Sequence, residues 1–140
     1  MSHGATASVL TCARAQRRRR CMPSEVPRER LQDIVTNIDR VRAHLTGIQP
    51  GAELDNKTRD SVDRCLERIS ESAKKLGAVI EERQPQVSWR GIRGLGNVLR
   101  HEYDAVDDST IARIVEQNLG PLRQACVDEL AAHRADSDAG

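Results

Sequence analysis

The sequence has 140 residues, 38% of them hydrophobic and 31% charged, which fits one soluble domain and leaves little room for a second. Its 22 basic and 21 acidic residues nearly cancel, so overall charge does not point to nucleic acid, and any RNA contact has to come from a local patch. No apolar run approaches the ~18 residues of a membrane span.

The four cysteines (Cys12, Cys21, Cys65 and Cys126) form no CxxC pair and no metal-ligand spacing with the four histidines. Neither a disulfide framework nor a metal or other cofactor is expected, and a reducing cytoplasm is the expected compartment. Trp89 and Tyr103 are the only aromatic residues. A core of Leu, Ile, Val and Ala favours packed helices over strands.

Residues 1–21 carry Arg17-Arg18-Arg19-Arg20 and no helical period, and read as a disordered basic extension, with Met22 as a candidate initiator. A basic arm on nucleic-acid phosphates is the functional alternative for this stretch. The helical domain is expected over 22–134, with a frayed tail over 135–140.

Within the domain, Leu31, Ile34, Val35, Ile38, Val41 and Leu45 form the apolar stripe of a first helix. Gly47 and Pro50-Gly51 end it. Asp55 or Asn56 can cap a second helix, whose stripe runs through Val62, Cys65, Leu66, Ile69, Ala73, Leu76 and Ile80 and stops before Pro85. Cys65 and Cys126 lie on apolar stripes, where inert buried thiols are expected. Ser88 is the candidate cap of a third helix through Ile92, Leu95, Leu99 and Tyr103, weakened by Gly91, Gly94 and Gly96. Asp107-Asp108-Ser109 supplies capping residues for a fourth, with Ile111, Ile114, Val115, Leu119, Leu122, Cys126 and Leu130 on one side. Pro121 has to break or kink that stripe. His44 and His133 are read as lying near helix ends, where a charge–dipole role accounts for them. The expected architecture is all-α, an antiparallel four-helix up-down bundle.

The third helix carries the chemistry. At 100° per residue, Arg93, Asn97, Arg100 and His101 fall within an arc of about 100°, opposite the core-facing Ile92, Leu95 and Leu99. Tyr103 lies toward the edge of the wedge. An imidazole can take a proton from a 2′-OH or give one to a leaving 5′-oxygen. Arginine can stabilise charge building on phosphate, and asparagine can hold the phosphate or the histidine tautomer. Glu71, mid-way along the second helix, can reach the wedge across the bundle. Each of these residues also has a plain reading as solvated helix surface.

The order of Ile69-Ser70-Glu71-Ser72-Ala73-Lys74-Lys75-Leu76, Val87-Ser88-Trp89 and Gly94-Leu95-Gly96-Asn97-Val98-Leu99-Arg100-His101-Glu102-Tyr103 resembles the HepT-like branch of the HEPN superfamily, over about residues 28–130. The family signature is an Arg, four to six residues, then His-x-Tyr, usually with Asn after the Arg. Asn97, His101 and Tyr103 match by position, as does Trp89 at the start of the helix, but Gly96 stands where the Arg usually does. Arg93 is the better substitute by helical spacing, since 93, 97 and 101 step along one face; Arg100 is the other.

The resemblance implies a homodimer with a shared cleft that forms a metal-independent endoribonuclease site. His101 would be its acid/base, Arg93 or Arg100 its phosphate stabiliser and Asn97 an orienter. It also implies a minimal nucleotidyltransferase antitoxin as partner, transferring AMP to Tyr103, where added charge would repel RNA phosphate. Two other readings stay open. One is a non-catalytic helical binding protein that keeps the nucleotidyltransferase contact; the other is a nucleic-acid binder acting through Arg17 to Arg20.

Overall fold

The computed structural model describes residues 26–102 and 106–139, and every regular element among them is helical. The expected basic extension at 1–21 and the candidate Tyr103 lie outside the described residues. In chain order the elements are α1 (Arg28–His44), α2 (Asn56–Lys75), α3 (Val79–Arg83), α4 (Trp89–His101), α5 (Asp108–Ile114), a π-helical turn (Val115–Leu119) and α6 (Gly120–Ala139). Helix α2 packs against both α1 and α4, and α1 also packs against α6. No helix among the described residues is long and apolar enough to cross a membrane.

The apolar stripes close on one another as their period requires. Leu31, Ile34, Ile38 and Val41 of α1 meet Val62, Leu66, Ile69 and Ala73 of α2 in one core with Ile92 and Leu99 of α4 and Leu122 and Cys126 of α6. Cys65 and Cys126 are buried free thiols, and burial pushes Cys126 up to about 12. Of the two candidate caps for α2, it is Asp55 that accepts from Thr58 N, at 2.7 Å. Asp107 caps α5 in the same way, accepting from Thr110 N at 2.8 Å. Ser88 precedes α4 without a side-chain capping bond.

Two boundaries differ from the sequence reading. The second helix stops at Lys75 rather than running on through Ile80, because Gly77 takes a φ of 73° and a separate short helix, α3, carries Val79 and Ile80. The expected tail does not begin at Ala135: α6 continues to Ala139, with no Gly or Pro before Gly140 to stop it. His133 accordingly sits inside α6, its Nε2 2.7 Å from Val26 O, rather than at a helix end. At Pro121 the expected distortion takes the form of the π-helical turn just before it. A wider turn relieves the clash of the proline ring with the carbonyl four residues earlier.

Two buried ion clusters tie the elements together. Arg59, 8% exposed, donates from Nε to both Asp63 oxygens at 2.9 and 3.0 Å, from NH1 to Asp108 at 2.9 Å, and from NH2 to Val106 O. Asp108 in turn accepts from Leu54 N at 2.8 Å, so α2, the loop before it and the start of α5 share one knot. Burial pushes the Asp63 carboxyl above its ordinary value, and the Arg59 guanidinium offsets only part of that. On the far side, Glu129 of α6 is 1% exposed and accepts from Arg83 Nε at 2.7 Å and Gln84 Nε2 at 2.8 Å. Gln84 O then accepts from the indole of Trp89 at 2.8 Å.

Replacing Arg59 by Met strands Asp63 in the interior. We expect a loss of about 3 kcal/mol in urea denaturation. Much of it should return in Arg59→Met/Asp63→Leu, which removes both charges.

Candidate functional site

The sequence wedge lies on α4, and the structure divides it. Asn97 and His101 are exposed, one and two turns beyond Arg93, with His101 the last residue of the helix. Arg93 turns away from them. Its Nε donates to Ala73 O at 3.2 Å, its NH2 to Gly77 O at 2.7 Å, and its NH1 to Glu81. The guanidinium therefore clasps the carboxyl end of α2, where the last carbonyls and the helix dipole favour a cation, and fastens α3 to it. Arg93 is a fastening residue here, with three of its five N–H donors already engaged by α2, Gly77 and Glu81.

Arg100 takes a different course. The crossing of α2 and α4 is close at Gly96, which is buried: Gly96 N donates to Ser70 Oγ at 3.0 Å, and Ser70 Oγ donates to Arg93 O at 2.8 Å. A Cβ at position 96 would stand 3.0 Å from Ser70 Oγ and 3.2 Å from Ser70 Cβ. The same point is 3.8 Å from Arg100 NH1, so the Arg100 guanidinium folds back over the glycine. There it lines a shallow depression with Arg64, Glu67, Arg68 and Glu71 of α2. Glu71 thus shares a depression with Arg100 and also pairs with Lys74 at 3.7 Å.

On the other side of His101, α4, the end of α5 and the π-helical turn border a mostly apolar groove of about 390 Å³ lined by Gly91, Gly94, Leu95, Val98, Ile114 and Asn118. His101 stands between the arginine side and this groove, as steps of about 100° per residue require. A separate apolar cavity of about 220 Å³ is walled by Leu45, Ile48, Pro50 and Val115, with none of Arg93, Asn97, Arg100 and His101 in its lining. Among the described residues no group of three or more His, Cys, Asp or Glu is arranged to hold a metal ion.

The sequence reading missed the clasp by Arg93 and the Ser70–Gly96 contact. Gly96 itself was the available signal, since a glycine inside a helix often marks a close approach of backbones.

The model of the "Ribonuclease HepT-like" family matches residues 34–128. The chain belongs to the HepT-like ribonuclease family. Two similar proteins of Methanocaldococcus jannaschii are named "Putative RNase MJ1216" and "Putative RNase MJ0125"; each is 30% identical over 104 residues, covering 74% of this chain and 86% and 90% of their own lengths. A third, "Putative RNase MJ1380", is 28% identical over 95 residues, covering 67% of this chain and 87% of its own. No solved structure matches the chain.

Gly96→Ala is expected to destabilise this HepT-like chain despite its better helix propensity. Overpacking against a serine held by two hydrogen bonds costs about 1–3 kcal/mol, against a propensity gain of about 1 kcal/mol. Arg93→Ala is expected to cost about 2 kcal/mol through the loss of three charge-assisted bonds. Thermal or urea unfolding of the two variants measures both.

Proposed function

We propose that this protein is the toxin of a toxin–antitoxin pair: a cytoplasmic, metal-independent endoribonuclease acting on cellular RNA. The observation that carries the reading is the exposed Asn97–His101 face of α4 in a HepT-like ribonuclease, with the Arg100 guanidinium folded over Gly96 beside it. His101 takes the proton from a ribose 2′-OH as that oxygen attacks the adjacent phosphorus, and a protonated imidazole gives one to the departing 5′-oxygen. Asn97 orients the phosphate or the imidazole. Arg100 steadies the charge that builds on the phosphate, a role for which Arg93 is less well placed because α2 and Glu81 occupy it.

The active form in this reading is a homodimer. The apolar groove beside His101 offers a second copy a glycine-lined surface on which a helix can approach closely, bringing two His101 side chains to one cleft. The partner is a minimal nucleotidyltransferase antitoxin. Its reaction joins Tyr103 Oη to the α-phosphorus of ATP, with pyrophosphate leaving and the phenolic proton passing to a base or to solvent. The AMP so placed repels RNA from the neighbouring His101.

A second reading, a binding protein without cleavage, is favoured by one observation: position 96 is a buried glycine with no room for a side chain against Ser70.

RNA cleavage by the purified chain in EDTA separates the two. We expect His101→Ala to lose about 10²–10⁴-fold in rate and Arg100→Ala about 10²-fold. Arg93→Ala should stay within a few-fold of the parent at temperatures where it remains folded. Cleavage that is absent, or indifferent to His101, sinks the ribonuclease reading in favour of the binding protein.

A further inference from the structure

A shallow polar trough crosses α1, α2 and α4. One part, about 310 Å³, is lined by Arg30, Asn37, Arg40 and Arg68. The next, about 340 Å³, contains Arg64, Arg68 and Arg100. Arg68 and Glu71 line both parts, which makes them one surface. Of its three carboxylates, Asp33 pairs with Arg30 at 3.4 Å and Glu71 with Lys74 at 3.7 Å, while Glu67 shares the depression with Arg64, Arg68 and Arg100. Arg40, Arg64, Arg68 and Arg100 are exposed, and none is paired with a carboxylate among the described residues.

The trough also has an unmet acceptor in its wall. Asn37 is 6% exposed, and its Nδ2 donates to Asp33 O at 2.8 Å, which fixes the amide the right way round. Its Oδ1 is the one buried side-chain oxygen or nitrogen without a partner among the described residues. A buried acceptor left unpaired costs about 1–3 kcal/mol, so an incoming N–H or O–H donor would be welcome there. Arg68 and Arg40 together project enough positive charge to pull the buried Cys65 thiol back toward ionisation, although burial still holds it above its ordinary value.

We infer that this trough is the track of the RNA strand beyond the cleavage site. Successive phosphates engage Arg100, Arg64, Arg68 and Arg40 in that order, and a sugar hydroxyl or base amino group of the strand meets Asn37. The inference rests on the ribonuclease reading and adds to it the substrate form: a single strand several nucleotides long, gripped by α1 and α2 as well as by α4. Flexible arginine side chains at the rim can swing to admit the strand, and their spacing of about 6 Å for residues four apart lays successive charges along α2.

The test is fluorescence anisotropy with a labelled single-stranded RNA of about twelve nucleotides, a length within the usual range for such grooves. The full-length chain carries His101→Ala so that the probe survives. Adding Arg40→Gln and Arg68→Gln is expected to weaken binding about tenfold. The dependence of log K on log salt should become shallower by about 1.4, the value for two lost phosphate contacts on a single strand. Asn37→Leu is expected to weaken binding a few-fold with an unchanged salt slope.

Unfolding curves check that the variants stay folded. Cleavage of a trinucleotide by the chain with His101 intact should not change when Arg40 and Arg68 are replaced. Equal affinity and equal salt slope with and without the two arginines overturn the track and leave the trough to a protein partner. Failure of the parent to bind the probe overturns it as well. Cleavage measured alongside tells the failures apart: His101-dependent cleavage with arginine-independent binding removes the track alone. Arginine-dependent binding without cleavage removes the nuclease and keeps the track.

Discussion

The approach of α2 to α4 at Ser70 and Gly96 sets most of what lies around it. With no side chain at 96, one hydroxyl can bond both to a backbone N–H of α4 and to the carbonyl of Arg93. That contact brings the backbone of Arg93 to the end of α2, within reach of Ala73 O and Gly77 O, and leaves Arg100 room to fold back over the crossing. A residue that contributes no side chain thus governs where two arginines point. A bulkier residue would push the helices apart, because well-packed interiors yield little to added volume.

The near-zero net charge conceals a division of labour among the arginines. Arg59, Arg83 and Arg93 lie inward or along helix ends, each bonded to carboxylates or carbonyls of neighbouring elements. Arg40, Arg64, Arg68 and Arg100 stand on the outer side of α1, α2 and α4, exposed to solvent. Buried pairs of the first kind contribute little net stability but are costly to break singly. The second set is free to exchange water for phosphate. Counting residues in the sequence cannot separate the two sets, because what distinguishes them is which carbonyl ends and carboxylates the fold brings alongside.

Much of the fold could be read from local pattern. The stripes of α1, α2 and α4, the caps at Asp55 and Asp107 and the disturbance at Pro121 all depend on residues within a turn or two of one another. The break at Gly77 was harder to see, since Leu76 and Ile80 keep the apolar period on both sides of it and periodicity alone does not register a left-handed residue. The helical ending past Ala135 was missed because a polar, alanine-bearing segment reads equally well as tail or helix. At the candidate site, spacing placed Arg93, Asn97, Arg100 and His101 on a common arc of α4. Spacing says where a Cα sits on the helix, not where a long side chain ends. For Arg93 that was decided by the carbonyls of Gly77 and Ala73 at and just past the end of α2, sixteen and twenty residues away.

The chain holds a single tryptophan, and its indole is fastened to the joint between α3 and α4 through Gln84, which is itself held by Glu129 of α6. Trp89 as a whole is 3% exposed. Its emission is therefore an intrinsic optical gauge of one place: the joint that sets the starting angle of the helix bearing His101. Ultraviolet light alone can follow whether that helix stays seated while other parts of the molecule loosen, with no dye and no label.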